Sequence, residues 1–263
     1  MKNILLVGKN SFIASNLAVA LRSHNVVDHV AYNEIDDIKN DKHDLIINCS
    51  LNPAYKNSSY SEEHDIDLRL SRRFKGHHVM FSSRKVYGSN DRLISYAEES
   101  PVNPIDYYGQ NKSLTEIKIK EEKKNVLILR CSNVCGYELG RKSFLGFCLN
   151  QLKEKSMIEL DFDYTTKRDF INIDSVCDIV SKICDDPFNG TYNLSSNIPY
   201  AIGDLALNLI EGNGTGHLVC ATQLIFDQFV LDNTKLLDKL RIGCYDFNIK
   251  SHIIKIGRQL CKI

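Results

Sequence analysis

Tyr108 and Lys112 stand four residues apart in the chain. On a helix that spacing puts both side chains on one face, one turn apart. A cation held there favours the phenolate and prepares the Tyr for proton exchange near neutral pH. Ser83 lies upstream, just after Val79-Met80-Phe81, an apolar run that reads as a buried strand with a polar tip. A strand-end hydroxyl, a helical Tyr and a helical Lys can move a proton on and off a carbonyl or alcohol oxygen. A Tyr and Lys at this spacing more often form a packed ring beside a solvated amine. The hydroxyl and the strand that presents it favour the chemical reading.

The elements that must position these groups follow from the hydrophobic pattern. Ile4-Leu5-Leu6-Val7, closed by Gly8, fits a strand buried on both faces. Ser11 to Ser23 reads as a helix with Ile13, Leu17, Ala20 and Leu21 inward. Val26 to Tyr32 and Leu45 to Asn48 read as the next strands. Only about a dozen residues separate them, barely a minimal crossover, so a strand and helix of fuller nucleotide-binding folds are expected to be missing. Glu62 to Phe74 reads as one helix and His77 to Phe81 as the strand leading into Ser82-Ser83, with a polar turn as the alternative reading of His77-His78. Asp106 or a neighbour starts the helix that carries Tyr108 and Lys112 to Lys124, and Val126 to Leu129 is a further buried strand.

The second half predicts helices over Lys142–Lys155, Asp174–Cys184 and Ile202–Leu209. It predicts strands over Met157–Leu160, Phe170–Ile173 and Gly190–Leu194, with a turn cluster at Gly212–Gly216. This alternation predicts an α/β fold: a Rossmann-type doubly wound parallel sheet with a smaller interleaved C-terminal substrate lobe. Residues 1–135 are assigned to the dinucleotide-binding domain, with 169–200 returning to it. Residues 136–263 are assigned mainly to the substrate lobe.

Gly8-Lys9-Asn10-Ser11-Phe12-Ile13-Ala14 sits where the first strand passes into the first helix. A dinucleotide fold places its Gly-rich turn there, so that backbone N–H groups and the helix N-terminus meet a pyrophosphate. Only the first glycine is present; Ser11 and Ala14 occupy the other two spacings. Ala is accepted at the last position, whereas the Ser11 side chain narrows the approach.

Composition adds boundaries. The 263 residues suffice for one large domain or two unequal lobes, and 43% hydrophobic with 25% charged residues describes a folded globule. Lys plus Arg and Asp plus Glu both number 33, so no global field selects nucleic acid or an anionic membrane. No apolar stretch approaches the about 20 residues of a membrane span. The N-terminal apolar run is too short for a signal peptide, and a cytoplasmic protein is expected. The nine Cys residues then read as reduced thiols. None forms a CxxC pair, and no metal site is expected. Arg72-Arg73 and Glu121-Glu122-Lys123-Lys124 read as solvated helix faces.

Longer segments carry a resemblance. Phe81-Ser82-Ser83-Arg84-Lys85-Val86-Tyr87-Gly88 is similar to a Ser-Ser-x-x-Val-Tyr-Gly segment, and Tyr108-Gly109-Gln110-Asn111-Lys112 to Tyr-Gly-x-x-Lys. Leu129 to Gly136 is similar to Leu-Arg-Pro-x-Asn-Val-Tyr-Gly, and Arg168 to Asp174 to Arg-Asp-Phe-Ile-x-Val-x-Asp. In this order the segments resemble the extended short-chain dehydrogenase/reductases of the NAD-dependent epimerase/dehydratase family, which act on nucleotide sugars. Among them the dTDP-4-dehydrorhamnose reductases are the nearest type.

The resemblance implies roles. Lys112 would bind the nicotinamide ribose and lower the pKa of Tyr108. Tyr108 would exchange a proton with the substrate oxygen, and Ser83 would hydrogen-bond that oxygen. NAD or NADP would be held by Gly8, Ser11, Phe12, Ile13, Asn33, Glu34, Cys49, Ser50, Leu51, Cys131 and Val134, with Tyr108 and Lys112. Glu34 would favour NAD by gripping the ribose hydroxyls, and Lys9 would instead meet a 2′-phosphate; as bare charges both also fit a solvated surface. The nucleotide-diphosphate sugar would meet Ser83, Arg84, Lys85, Asn133, Ser143, Phe144 and Arg168. Asn133 and Arg168 look like diphosphate contacts. Many relatives are homodimers through the Tyr helix and the one before it, and the sequence leaves the oligomeric state open.

Departures from the family narrow the reaction. The 4,6-dehydratases carry an Asp-Glu pair where this chain has Arg84 and Lys85, so dehydration is not expected. Combined epimerase-reductases place a Cys at the position of Lys85 and use a His, and residues 137–147 hold none. Reduction of a keto sugar remains the preferred reading, with 4-epimerisation through a transient ketone as the alternative. A non-catalytic dinucleotide-binding sensor is the alternative of another class; the retained Ser83, Tyr108 and Lys112 argue for an enzyme.

Overall fold

A computed structural model describes residues 1–39, 41–220, 227–243 and 245–261. The chain begins with β1 (Asn3–Val7), α1 (Phe12–Leu21), β2 (Val26–Val30) and β3 (Leu45–Asn48). The link from β2 to β3 carries only a 3-10 helix at Tyr32–Asp37, so no full crossover helix separates them. Then follow α2 (Pro53–Asn57), α3 (Ile66–Arg73), β4 (His77–Ser83), β5 (Ser95–Tyr96), α4 (Tyr107–Glu122) and β6 (Val126–Cys131). The helix expected from Glu62 is two pieces, a 3-10 turn at Glu62–His64 and then α3. Asp65 causes the break: its extended backbone ends the turn, and its carboxylate accepts the Leu68 N–H as the N-cap of α3. His77 and His78 are not a turn. Both lie inside β4, paired with Leu45 and Ile46 of β3.

The second half holds β7 (Asn133–Cys135), α5 (Phe144–Lys155), β8 (Met157–Leu160), β9 (Lys167–Asn172), α6 (Ile173–Asp185) and β10 (Gly190–Leu194). It continues with β11 (Pro199–Ala201), α7 (Ile202–Asn213), β12 (His217–Cys220), β13 (Val230–Leu231), α8 (Thr234–Lys239) and α9 (Ile249–Leu260).

The main sheet runs β10-β6-β4-β3-β1-β2 with every neighbour pair parallel. Its central strands are apolar on both faces because α1 and α6 cover one side and α3 and α4 the other. A second sheet, β11-β9-β7, and the pair β12-β8 build the C-terminal lobe. β10 returns to the main sheet from this second half. One hydrophobic cluster runs from Ile4 through Cys135 and Phe170 to Leu260, so the two parts share a core. No helix among the described residues is long and apolar enough to cross a membrane.

Candidate active site

β2 lies on one side of β1, and β3, β4, β6 and β10 lie on the other. At such a reversal the connections leave in opposite directions and open a crevice beyond the carboxyl ends of the strands. A cavity of about 720 Å³ occupies this place. Ser11, Phe12 and Ile13 reach it from the end of β1, Cys49, Ser50 and Leu51 from β3, and Ser83 and Lys85 from β4. Tyr108 and Lys112 enter from α4, Cys131, Asn133 and Val134 from β6 and β7, and Ser143 and Phe144 from the start of α5.

The turn after β1 fits a dinucleotide. Gly8 has φ +124°, and a Cβ there would stand 3.1 Å from the Cys49 carbonyl carbon and 3.2 Å from the Ser50 nitrogen. Glycine thus lets β1 and the β3 loop meet closely beneath the turn. Ser11 caps α1 by accepting the Ala14 N–H. The first two N–H groups of the helix, on Phe12 and Ile13, have no intrahelical partner and belong to residues lining the cavity. Two unpartnered donors at a positive helix end suit a pyrophosphate.

Ser83 ends β4 in register with Cys131 of β6. Its hydroxyl accepts the Lys85 N–H at 3.2 Å and so is oriented by the following 3-10 turn. Asp106 caps α4 through the Gly109 N–H at 2.8 Å and holds the Lys85 ammonium at 3.0 Å. A Cβ on Gly109 would come within 2.5 Å of the Lys85 carbonyl oxygen, so only glycine lets α4 rest directly on the Ser83 loop. That contact brings Tyr108 beside Ser83.

The sequence model of the NAD dependent epimerase/dehydratase family matches residues 4–198. The chain belongs to this family. Membership makes it an NAD(P)-dependent enzyme acting on a nucleotide sugar. No curated protein matches the chain. Solved structures share its fold. An NAD-dependent NDP-hexosamine 5,6-dehydratase of tunicamycin biosynthesis has a TM-score of 0.81 at 17% identity, over 100% of this chain and 98% of that one. RMD from Pseudomonas aeruginosa, complexed with NADPH, has 0.76 at 17% identity over 100% of both chains. UDP-N-acetylglucosamine 4-epimerase from Bacillus cereus has 0.80 at 15% identity over 99% of both.

Burial pulls the Tyr108 pKa up, while Lys112 pulls it down, as the family resemblance implies. The pull of Lys112 and of the Ser83 hydroxyl does not overcome the burial. Lys112 is itself 4% exposed, and its Nζ lies 3.3 Å from Asp67 Oδ2 on α3. Burial works against its charge, but Asp67 and then Tyr108 outweigh that and raise its pKa. Burial likewise opposes the Asp67 carboxylate, yet Lys112 and His78 hold it below the usual range. The Tyr108 hydroxyl therefore sits on the same helix face as a buried Lys112–Asp67 ion pair.

Several expected contacts lie elsewhere. Arg84 is turned away from the cavity: its guanidinium bonds Asp227 and the Gly88 carbonyl and covers the Phe229 ring at 4.2 Å. Two charged neighbours, Arg84 and Arg168, share that Asp227 carboxylate, and Arg168 also stacks on Phe162 at 4.3 Å. Neither Arg lines the cavity. Asn33 and Glu34 lie beyond β2, outside it, where Glu34 accepts the Ala31 N–H and faces Lys9 at 3.9 Å. Gly8 supports the floor without lining it.

Other lining residues carried no sequence signal strong enough to single them out. Lys56, Ser132, Glu138, Arg141 and Lys142 all border the cavity. Glu138 is 5% exposed, and burial raises its pKa. Cys131 beside Ser83 is an inert thiol, pushed up to about 12 by burial.

Proposed function

We propose that this enzyme reduces the ketone of a 4-keto nucleotide sugar, a reaction of the dTDP-4-dehydrorhamnose reductase type. The observation that supports it is Tyr108 next to Ser83, in one cavity with the dinucleotide turn. When bound in this cavity, NADH or NADPH would supply hydride chemistry at the sugar carbon. Ser83 donates a hydrogen bond to the ketone oxygen and fixes its place. Tyr108 gives its proton to that oxygen as charge develops there, so an alcohol forms without a free alkoxide. Lys112 steadies the phenolate left behind until solvent reprotonates it. Phe12 and Ile13 would present backbone donors to the cofactor diphosphate, and Cys49, Ser50, Leu51 and Val134, which line the same cavity, would help to hold the cofactor. Lys85, Asn133, Ser143 and Phe144 are assigned to the sugar nucleotide.

A 4-epimerase must first remove a proton from an alcohol, which calls for a phenolate. It must then return that proton to the transient ketone, so the two readings part on net cofactor consumption rather than on the Tyr108 pKa. Dehydration is disfavoured by the cations at 84 and 85, one of them locked on Asp227. Tyr108→Phe removes the proton and little volume. It should lower turnover of a 4-keto nucleotide sugar by about 10²-fold or more while leaving the NAD(P)H dissociation constant nearly unchanged. Near-normal turnover in that variant removes the assignment.

A further inference from the structure

We propose that Arg141 is a cofactor-binding residue: from the loop between β7 and α5 it reaches across to the dinucleotide turn and holds the cofactor diphosphate with its guanidinium. Such a contact serves a reductase and an epimerase alike.

Arg141 is far in sequence from the turn it meets. Its Nη1 donates to the Asn10 carbonyl oxygen at 3.4 Å, and its guanidinium carbon lies 5.9 Å from the centre of the Phe12 ring. The backbone seats the loop in this place. Gly136 packs against the Phe12 ring, which a Cβ there would strike. The Arg141 N–H closes a turn onto the Glu138 carbonyl at 3.0 Å, and the Gly140 N–H donates to Asn150 Oδ1 of α5 at 2.9 Å. The guanidinium thus stands beside Phe12, the first residue of α1, whose N–H is open to the cavity. A guanidinium has five N–H donors in a planar fork. The Asn10 bond occupies one, and the others are free for phosphate oxygens.

The charges in the cavity call for such a group. A dinucleotide diphosphate carries two negative charges, and a helix N-terminus answers about half of one. Ser11 stands at the spacing of a second glycine, so this turn brings less bare backbone to the phosphates than a full glycine turn would. Five cations line the cavity, and two of them are already spent: Lys85 on Asp106 and Lys112 on Asp67. Lys56, Arg141 and Lys142 make no ion pair among the described residues, and of these three Arg141 is the one bonded to the dinucleotide turn. Glu138, the one carboxylate among the described lining residues, makes no ion pair with Arg141. A cofactor and a nucleotide sugar each bring a diphosphate to this cavity. The contacts with Asn10 and Phe12 assign Arg141 to the cofactor.

ADP-ribose and 2′-phospho-ADP-ribose carry the cofactor diphosphate without the nicotinamide, so calorimetric titration of the full chain with the tighter of the two reads the contact with no turnover. Arg141 is exposed, and Arg141→Gln should unfold within about 2 °C of the unsubstituted chain. Its dissociation constant for the probe should rise by at least about fivefold at about 0.1 M KCl. That factor should fall by half or more at about 1 M KCl, because salt screens an exposed charge and leaves a packing contact alone. The dissociation constants for UDP and dTDP, probes of the sugar-nucleotide half, should stay within about twofold. A smaller rise for the probe, a rise that salt does not reduce, or an equal rise for UDP or dTDP overturns the proposal. A chain that passes this test and yet reduces no keto sugar loses the proposed reaction and keeps the contact, so the two failures are separable.

Discussion

In the proposed reduction Tyr108 is the proton donor, and burial raises the pKa of its hydroxyl. In the same proposal Ser83 holds the acceptor oxygen. Arg84 is a neighbour in sequence but a structural residue in space. Its pairing with Asp227 and its cover over Phe229 make Arg84→Ala a stability change of about 2 to 3 kcal/mol, read by denaturant unfolding. The KM for the sugar nucleotide should stay within about twofold, since uniform binding is not touched. A KM raised more than tenfold in folded protein would return Arg84 to the substrate site. The Ser, Tyr and Lys were legible because their signals are local: a strand tip and a one-turn helical spacing. Asp67 and His78 were not, because a bond between α3 and β4 leaves no periodic trace in sequence. A His pair ahead of an apolar run looks polar until its buried partner is known.

At the scale of elements, the contact of α4 with the loop after β4 sets the Tyr108–Ser83 distance. Gly109 is its weak point, since an added Cβ would meet the Lys85 carbonyl at 2.5 Å. Gly109→Ala should destabilise the chain by about 1 to 3 kcal/mol. It should also lower kcat by about tenfold or more, because a small displacement of α4 misplaces the donor. Cofactor affinity should change much less, as the dinucleotide turn lies on α1. Unfolding curves and steady-state kinetics on the same preparation separate these effects. The start of α4 at Asp106 could be read from its capping chemistry. The break at Asp65 could not, because the apolar spacing of Ile66, Leu70 and Phe74 continues smoothly past it while a single carboxylate decides where the helix begins.

At the scale of the whole molecule, the main sheet is parallel and most of its strands announce themselves as apolar runs, which made the first half readable. The short strands β7, β11, β12 and β13 have two to four residues each and too little pattern to show. Arg168 and Asp227 tie this lobe to the β4 loop through Arg84. Burial opposes the Asp227 carboxylate, but Arg84 overrides it and lowers its pKa from 3.8 to about 2. A depressed carboxylate pKa stabilises the fold fully above its unfolded value of 3.8 and loses that contribution as pH falls toward about 2. The contribution is about 1 to 2 kcal/mol after solvent screening. Asp227→Asn should therefore melt lower than the unsubstituted chain at neutral pH, and the gap in Tm should close as pH drops through this window. A gap independent of pH would contradict the ionic reading. The proposed reduction turns on the direction of hydride transfer. The direct measurement is the amount of NADH or NADPH consumed per product formed across a panel of 4-keto nucleotide sugars. The account predicts one reduced cofactor consumed for each alcohol produced; product formed with no net consumption, or cofactor bound and never oxidised, would contradict it.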